Sequence, residues 1–462
     1  MSAIGQSELE TWRLILLDQQ RREIKVIAND VTSTISLPEV EIPYGQRIAE
    51  SLTKAVRDLL HLNTLCLFIP TLCKPNEARY AVMETLPAPD SDSNCRSITL
   101  HELVASSFQN QDDFLGLQQA LTELDNREID SASPFIRQGW FEDARNWIAD
   151  CLHPVQLALT GDFDQLNGSE SFSLIRFETD GPDVWFKAVG EPNLREFPIT
   201  LELSRRLPKY LPTIIGERAD WNGWLALSAG PKSLVDTTDL GSWEAAVRTL
   251  ADLQIDSIEG SDALLQADAH DLRTDKLAEL VQPFLEVVSR LMQQQTKLSP
   301  SPLAPEDLEL LGLRLQDATT LLEDLRIPHT LGHLDLNPGN IFPADEGCKF
   351  LDWAEAYVGH PFFSFEYLSA HRRRTLGSTE VESSLLAAYA QRWARVLSEE
   401  VIAEAFAFIP LVAVFAYAVS LPTWKDDAIL CDPNVAGYIR SLARRMNREA
   451  VQLLDRRTLC LS

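Results

Sequence analysis

The sequence predicts an α+β protein, with short strands in its first half and long helices filling the second. Three observations carry that reading. Up to about residue 230, short apolar and β-branched runs are separated by polar turns, which is the signature of strands. After Gly230 the apolar residues recur at three- and four-residue intervals, which is the signature of amphipathic helices. At 462 residues the chain exceeds one ordinary core, so several packed units are expected: 1–155, 156–230 and 231–462.

Residues 1–155 read as a small α/β domain of unknown role. Stretches 12–17 and 23–27 are strand-like around the polar turn 18–22, and 48–60 has helical apolar spacing. Strands follow at 64–69 and 80–84, then helices at 114–124 and 141–152. The next block opens with a polar loop, 161–171, holding Asn167, Gly168 and Ser169, whose backbone N–H groups are placed to cradle an anion. Strands at 172–177 and 183–189 flank a turn containing Gly181 and Pro182. Lys187 sits mid-strand among apolar neighbours, so it is either a solvated edge charge or a phosphate-gripping lysine. A helix over 194–207 ends at Pro208 and carries Glu196 and Glu202, six positions apart and therefore on different faces. A strand over 224–230 runs into a small-residue break.

Beyond it, 243–254, 273–295, 305–325, 381–394, 399–421 and 435–454 have helical spacing. The run 405–421 is nearly all apolar, but it contains Pro410 and follows Glu404. It reads as a buried core helix and not as a membrane span. A net charge of −27 excludes nucleic acid and anionic membranes as expected partners, because both repel an acidic surface. Seven cysteines without a C-x-x-C pair point to free thiols in a reducing cytoplasm. No basic region leads into a small-residue cleavage site near residue 1, so no signal peptide is read.

The chemistry concentrates in 329–368. His333-Leu334-Asp335-Leu336-Asn337-Pro338-Gly339-Asn340 is a strand end followed by a polar loop. A hairpin with Gly347 in its turn then delivers Asp352, folding it back beside Asn340. Three oxygen-bearing side chains thus converge, as phosphoryl transfer needs: one carboxylate to orient a hydroxyl, and an amide oxygen with a second carboxylate for Mg²⁺. The pattern HLDLNPGN followed by FLDW resembles the aminoglycoside phosphotransferase and choline kinase superfamily. Leu334 stands where that family has Gly, and Asn337 where it has a second His.

The resemblance covers about 157–425 and implies a protein-kinase-like fold, with a small β-rich lobe at 156–230 and a helical lobe from 231. It implies an ATP-dependent kinase passing the γ-phosphoryl group to the hydroxyl of a small molecule. The alternative is a degenerate relative serving as a nucleotide-binding scaffold. In the kinase reading Asp335 is the catalytic residue, Asn340 and Asp352 hold Mg²⁺, and Lys187 binds phosphate with Glu196 as its partner. Asn167, Gly168 and Ser169 would lie at the phosphates, and the stretch from Leu227 to Ala229 would be the adenine-binding hinge. His333 and His360 are read as structural. The absence of Asp-Phe-Gly and Ala-Pro-Glu segments argues against a protein substrate.

Overall fold

The computed structural model describes residues 9–20, 22–71, 79–87, 94–130, 133–376 and 379–460. The chain divides into two compact units. The first comprises the residues up to Phe197 together with Thr213–Ser228; the second comprises Pro198–Pro212 and everything from Ala229 onward.

The first unit holds two sheets. β1 (Leu9–Leu17), β2 (Glu23–Asn29), β3 (Thr34–Ser36), β4 (Glu39–Pro43), β5 (Thr64–Phe68), β6 (Arg79–Thr85) and β7 (Arg96–Thr99) form a seven-stranded mixed sheet. In it β1 runs parallel to β6 and antiparallel to β2 and β4. Helix α1 (Ile48–Leu60) covers one face, while α2 (Gln111–Asp130) and α3 (Trp140–Leu152) pack on the other. Trp12, Leu14 and Leu16 are buried with Leu52 and Val56 of α1. Ile15 and Leu17 are buried with Leu117 of α2 and Ile148 of α3. Successive strand residues point to opposite faces, so a strand covered on both sides reads as one unbroken apolar run.

The second sheet is antiparallel, in the order β11-β12-β10-β9-β8. Its strands are β8 (Leu159–Gly168), β9 (Phe172–Thr179), β10 (Val184–Val189), β11 (Ile214–Arg218) and β12 (Gly223–Leu227). Ile175, Phe177, Phe186 and Leu225 on one face share a buried cluster with Ile15, Leu67, Trp140 and Ile148. The Trp140 ring lies 6.2 Å from Phe186, and Phe141 stacks on Phe177 at 5.8 Å. Residues on either side of the boundary expected near 155 therefore share one core, and that boundary is not one between the compact units. Gln165 adds a polar tie between the sheets. Its buried amide accepts from Cys66 N at 2.7 Å and donates to Cys66 O at 2.9 Å.

The expected loop 161–171 is mostly strand, since β8 continues to Gly168. Polar residues are tolerated there because β8 lies at the sheet edge, with two register shifts against β9. Phe163 supplies the apolar anchor, its ring 4.5 Å from that of Phe141.

Helix α4 (Glu196–Arg206) begins in the first unit and ends in the second. The second unit is otherwise built on helices α5 (Leu240–Asp256), α6 (Ser261–Gln266), α7 (Thr274–Gln293), α8 (Pro305–Asp324), α9 (Phe362–Leu376), α10 (Thr379–Trp393), α11 (Glu399–Ser420), α12 (Asp427–Leu430) and α13 (Pro433–Cys460). Helix α11 is long and apolar enough by composition to cross a membrane, yet 61% of its most apolar window is buried in the protein. Ile409, Val412 and Phe415 sit in the core with Phe284 of α7 and Leu315 of α8, as expected of a core helix.

Two small sheets carry the loops of interest. β14 (Thr330–His333) pairs antiparallel with β17 (Ala356–Gly359), which runs parallel to β13 (His270–Leu272). β15 (Ile341–Ala344) and β16 (Gly347–Phe350) form the expected hairpin. Gly347 has φ +106°, a backbone state that favours glycine. The fold is α+β: a strand lysine and a helix glutamate lie in the first unit, and a loop and hairpin are set among helices in the second.

Candidate active site

In the first unit the candidate group is Lys187. Its neighbours Phe186 and Ala188 belong to the shared core, so alternation along β10 turns Lys187 to the opposite face. There Nζ lies 5.5 Å from the Phe172 ring centroid and 5.8 Å from that of Trp224. Nζ donates to Glu196 Oε1 at 2.6 Å, and the two side chains are only 14% and 2% exposed. Glu196 is the first residue of α4, where the helix dipole favours a negative charge. Glu202 pairs instead with Arg206, one turn further on.

Of the other first-unit candidates, Gly168 and Ser169 are engaged structurally. Gly168 lies against β5: a Cβ there would meet Cys66 O at 2.6 Å, so close approach of two strands accounts for this glycine. Asn167 is in β8, its Oδ1 buried with no hydrogen-bond partner among the described residues, whereas Ser169 Oγ bonds within its own turn to Phe172 O. Leu227 donates its N–H to Thr213 O at 2.9 Å, which removes that amide from any hinge role. Ala229 begins the second unit.

In the second unit the loop after β14 is fixed from below. His333 is fully buried and neutral, because burial pushes its basicity down. Its Nε2 lies 3.0 Å from Leu351 O, and its Nδ1 accepts the Asp335 N–H at 3.1 Å, which sets the Nε2–H tautomer. The His333 backbone N–H donates to Ser364 Oγ at 2.8 Å. One imidazole thereby ties the loop carrying Asp335 to the residue before Asp352, and the structural role read for it holds. His360 is likewise buried, with Nδ1 accepting from Phe362 N–H at 3.2 Å.

Asp335 is oriented by Tyr367 of α9, whose hydroxyl donates to Oδ1 at 2.8 Å. Among the described residues Oδ2 has only a long contact, 3.5 Å, with Asn337 Nδ2. Burial raises the Tyr367 phenol strongly, and the adjacent Asp335 carboxylate raises it further, so it stays a proton donor. Sequence reasoning did not find Tyr367. The available signal was its spacing from Ser364: residues three apart lie on one helix face, here the face turned to the Asp335 loop.

Asn340 and Asp352 meet through the hairpin base. Ile341 pairs with Phe350, and Leu351 N donates to Asn340 O at 2.9 Å, so Asp352 follows directly beside Asn340. Asn340 Nδ2 donates to Asp335 O at 3.1 Å, which leaves its Oδ1 as the end suited to a cation. Asp352 adopts φ +66° and ψ +65°, a left-handed state uncommon for a non-glycine residue. Among the described residues no group of three or more His, Cys, Asp or Glu gathers as a metal site. One amide oxygen and one carboxylate are nevertheless a fitting set for Mg²⁺, which keeps several waters and takes phosphate oxygens.

A small cavity of about 110 Å³ adjoins this loop, lined by Leu334 and Tyr367 together with α11 and α13 residues. A larger hollow of about 420 Å³ lies along α3 in the first unit, but none of the candidate residues lines it.

No family model matches the chain, and no curated protein does. Among solved structures it is similar to an ethanolamine kinase of Plasmodium vivax, at 14% identity and TM-score 0.43, over 74% of this chain and 92% of that one. It is similar to a choline kinase of Cryptosporidium parvum, at 11% identity and TM-score 0.44, over 73% of this chain and 97% of that one. A choline kinase from Streptococcus pneumoniae matches at 12% identity and TM-score 0.42, over 68% of this chain and 99% of that one. Likenesses this distant carry no chemistry across, and the reading of the site rests on its own geometry.

Proposed function

We propose that the chain is an ATP-dependent small-molecule kinase that transfers the γ-phosphoryl group to a substrate hydroxyl. The observation that carries the reading is the set Asp335, Asn340 and Asp352 on one hairpin-braced loop, with Asp335 held at Oδ1 by Tyr367. A carboxylate fixed on one oxygen presents the other to a hydroxyl, orienting it and receiving its proton as the phosphoryl group departs. Asn340 Oδ1 and Asp352 would hold Mg²⁺, which neutralises phosphate charge when bound. Lys187, kept in place by Glu196, would bind phosphate oxygens.

The test is a thermal-shift series with nucleotides, with and without Mg²⁺, followed by an ADP-release assay over a panel of hydroxylated compounds. A ligand at a hundredfold its Kd stabilises the folded state by about 2.7 kcal/mol. Mg²⁺·ATP should give a shift of that order, and at least one hydroxylated compound should accelerate ADP release. Folded protein that shifts with no nucleotide would end the proposal.

A further inference from the structure

The cavity beside Asp335 has a charge character that bears on the acceptor. Its wall includes Tyr367, Tyr417, Tyr438, Glu366, Arg374 and Arg445, and Leu334, the residue before Asp335, closes one side. Tyr367 bridges cavity and carboxylate through its 2.8 Å hydrogen bond to Asp335 Oδ1. The hydroxyls of Tyr417 and Tyr438 bond each other at 2.9 Å, so this part of the wall is a joined polar rim.

Three tyrosine rings alone would suit an ammonium group, which binds aromatic faces. The other side chains decide against it. Glu366 is buried, and its carboxylate is already in an ion pair with Arg373, which does not line the cavity. Among the described residues neither Arg374 nor Arg445 has a carboxylate within ion-pair distance. Arg445 also acts on the Glu366 carboxylate at longer range, yet two guanidinium groups in one small wall stand out in a chain of net charge −27. They repel an ammonium and offer a planar fork to a carboxylate or a phosphate.

Building on the kinase reading, we propose that this cavity is the acceptor subsite and selects a hydroxylated molecule that also carries an anionic group. The acceptor hydroxyl would sit at Asp335 Oδ2, while its carboxylate or phosphate monoester meets Arg374 and Arg445. At about 110 Å³ the cavity takes the anionic end of the acceptor. Exposed Arg374 and Tyr438 mark the side from which a longer molecule enters.

The test uses the full chain and acceptors matched in skeleton but opposite in charge. Glycerate is set against 3-amino-1,2-propanediol and gluconate against glucamine, with glycerol 3-phosphate as the phosphate arm. Binding is measured by calorimetry without nucleotide, and kcat/KM by ADP release with Mg²⁺·ATP. The anionic members should be preferred by about ten- to a hundredfold, the size expected of a charge-assisted hydrogen bond. Arg374→Gln and Arg445→Gln should each cut that preference about tenfold or more. Arg374 is exposed, so its variant guards against misfolding of the Arg445 variant. Preference for the amines, survival of the anion preference in both variants, or neither charge type binding or reacting would overturn the proposal. Turnover of the amines with Mg²⁺·ATP protection would do so while leaving the kinase reading intact. Anion binding abolished by the arginine variants, without any nucleotide binding, would sustain the subsite and remove the kinase reading.

Discussion

Replacing Lys187 by Met tests the inner face of the first unit without reference to any substrate. The substitution keeps an apolar stem of similar length and removes the ammonium 2.6 Å from Glu196 Oε1. An ion pair in water contributes about 0.2–1 kcal/mol, whereas breaking a buried pair costs about 3–5 kcal/mol. Side-chain exposures of 14% and 2% place this pair in the second class. We therefore expect Lys187→Met to lower stability by about 3 kcal/mol. Glu196→Gln should cost less, because the lysine left behind keeps more contact with water. The double variant should be more stable than the sum of the singles implies, by about 1 kcal/mol or more. Urea unfolding followed by tryptophan fluorescence reads all four proteins. A loss below about 1 kcal/mol for Lys187→Met, or strict additivity, would show that the pair behaves as a surface contact and refute the reasoning.

Four further outcomes are expected. Asp335→Asn should keep Mg²⁺·ATP binding but lose turnover by orders of magnitude, while Asp352→Asn should weaken metal-dependent nucleotide binding itself; calorimetry with ADP release separates the two. If wild-type protein binds Mg²⁺·ATP, turns over no hydroxylated compound and is unaffected in its cellular role by Asp335→Asn, the scaffold alternative replaces catalysis. His360 is pushed down to about 3 by burial and, second, by His329, so it stays neutral when folded but takes a proton in the unfolded chain below about 6.5. The unfolded state then binds more protons, and stability should fall as pH drops below about 6.5, by about 1.4 kcal/mol per pH unit, and level off above it; equal urea midpoints at about pH 7.5 and 5 would contradict this. Trp140→Ala should cost about 3–5 kcal/mol, because the ring is buried against Phe186 of the second sheet and Trp221 of the turn between β11 and β12. Removing residues 1–152 should yield aggregated protein, and a soluble truncation that still binds nucleotide would show that the shared core is dispensable.

Much of this was legible because periodicity is local. Helix 48–60 coincides with α1, the expected helices after residue 230 all have counterparts, and the Gly347 hairpin was read from its turn. The pairing of Lys187 with Glu196 in preference to Glu202 follows the family resemblance, which places this glutamate early in the helix. What escaped is non-local or edge-bound. Strand β8 was read as a loop because an edge strand tolerates Asp162 and Asp164, and only its pairing with β9 reveals it. The core joining residues 12–152 to 175–225 was hidden because apolar content says that a face is buried, never against what. Tyr367 escaped for the same reason: its role is defined by Asp335, thirty-two positions away.

The shared core of the first unit also sets a timetable for synthesis. The apolar face of α3 bearing Trp140 and Phe141 is complete once that helix has been made, but its partners Phe177 and Phe186 come later in the chain, with Leu225 of the same core later still. At about 5–20 residues per second, the roughly seventy residues from Leu152 to Leu225 take about 4–15 s to emerge. Throughout that interval the nascent chain holds out an apolar face whose cover does not yet exist. The first unit thus folds as a late event, and its yield depends on what shields that face while the ribosome finishes the second sheet.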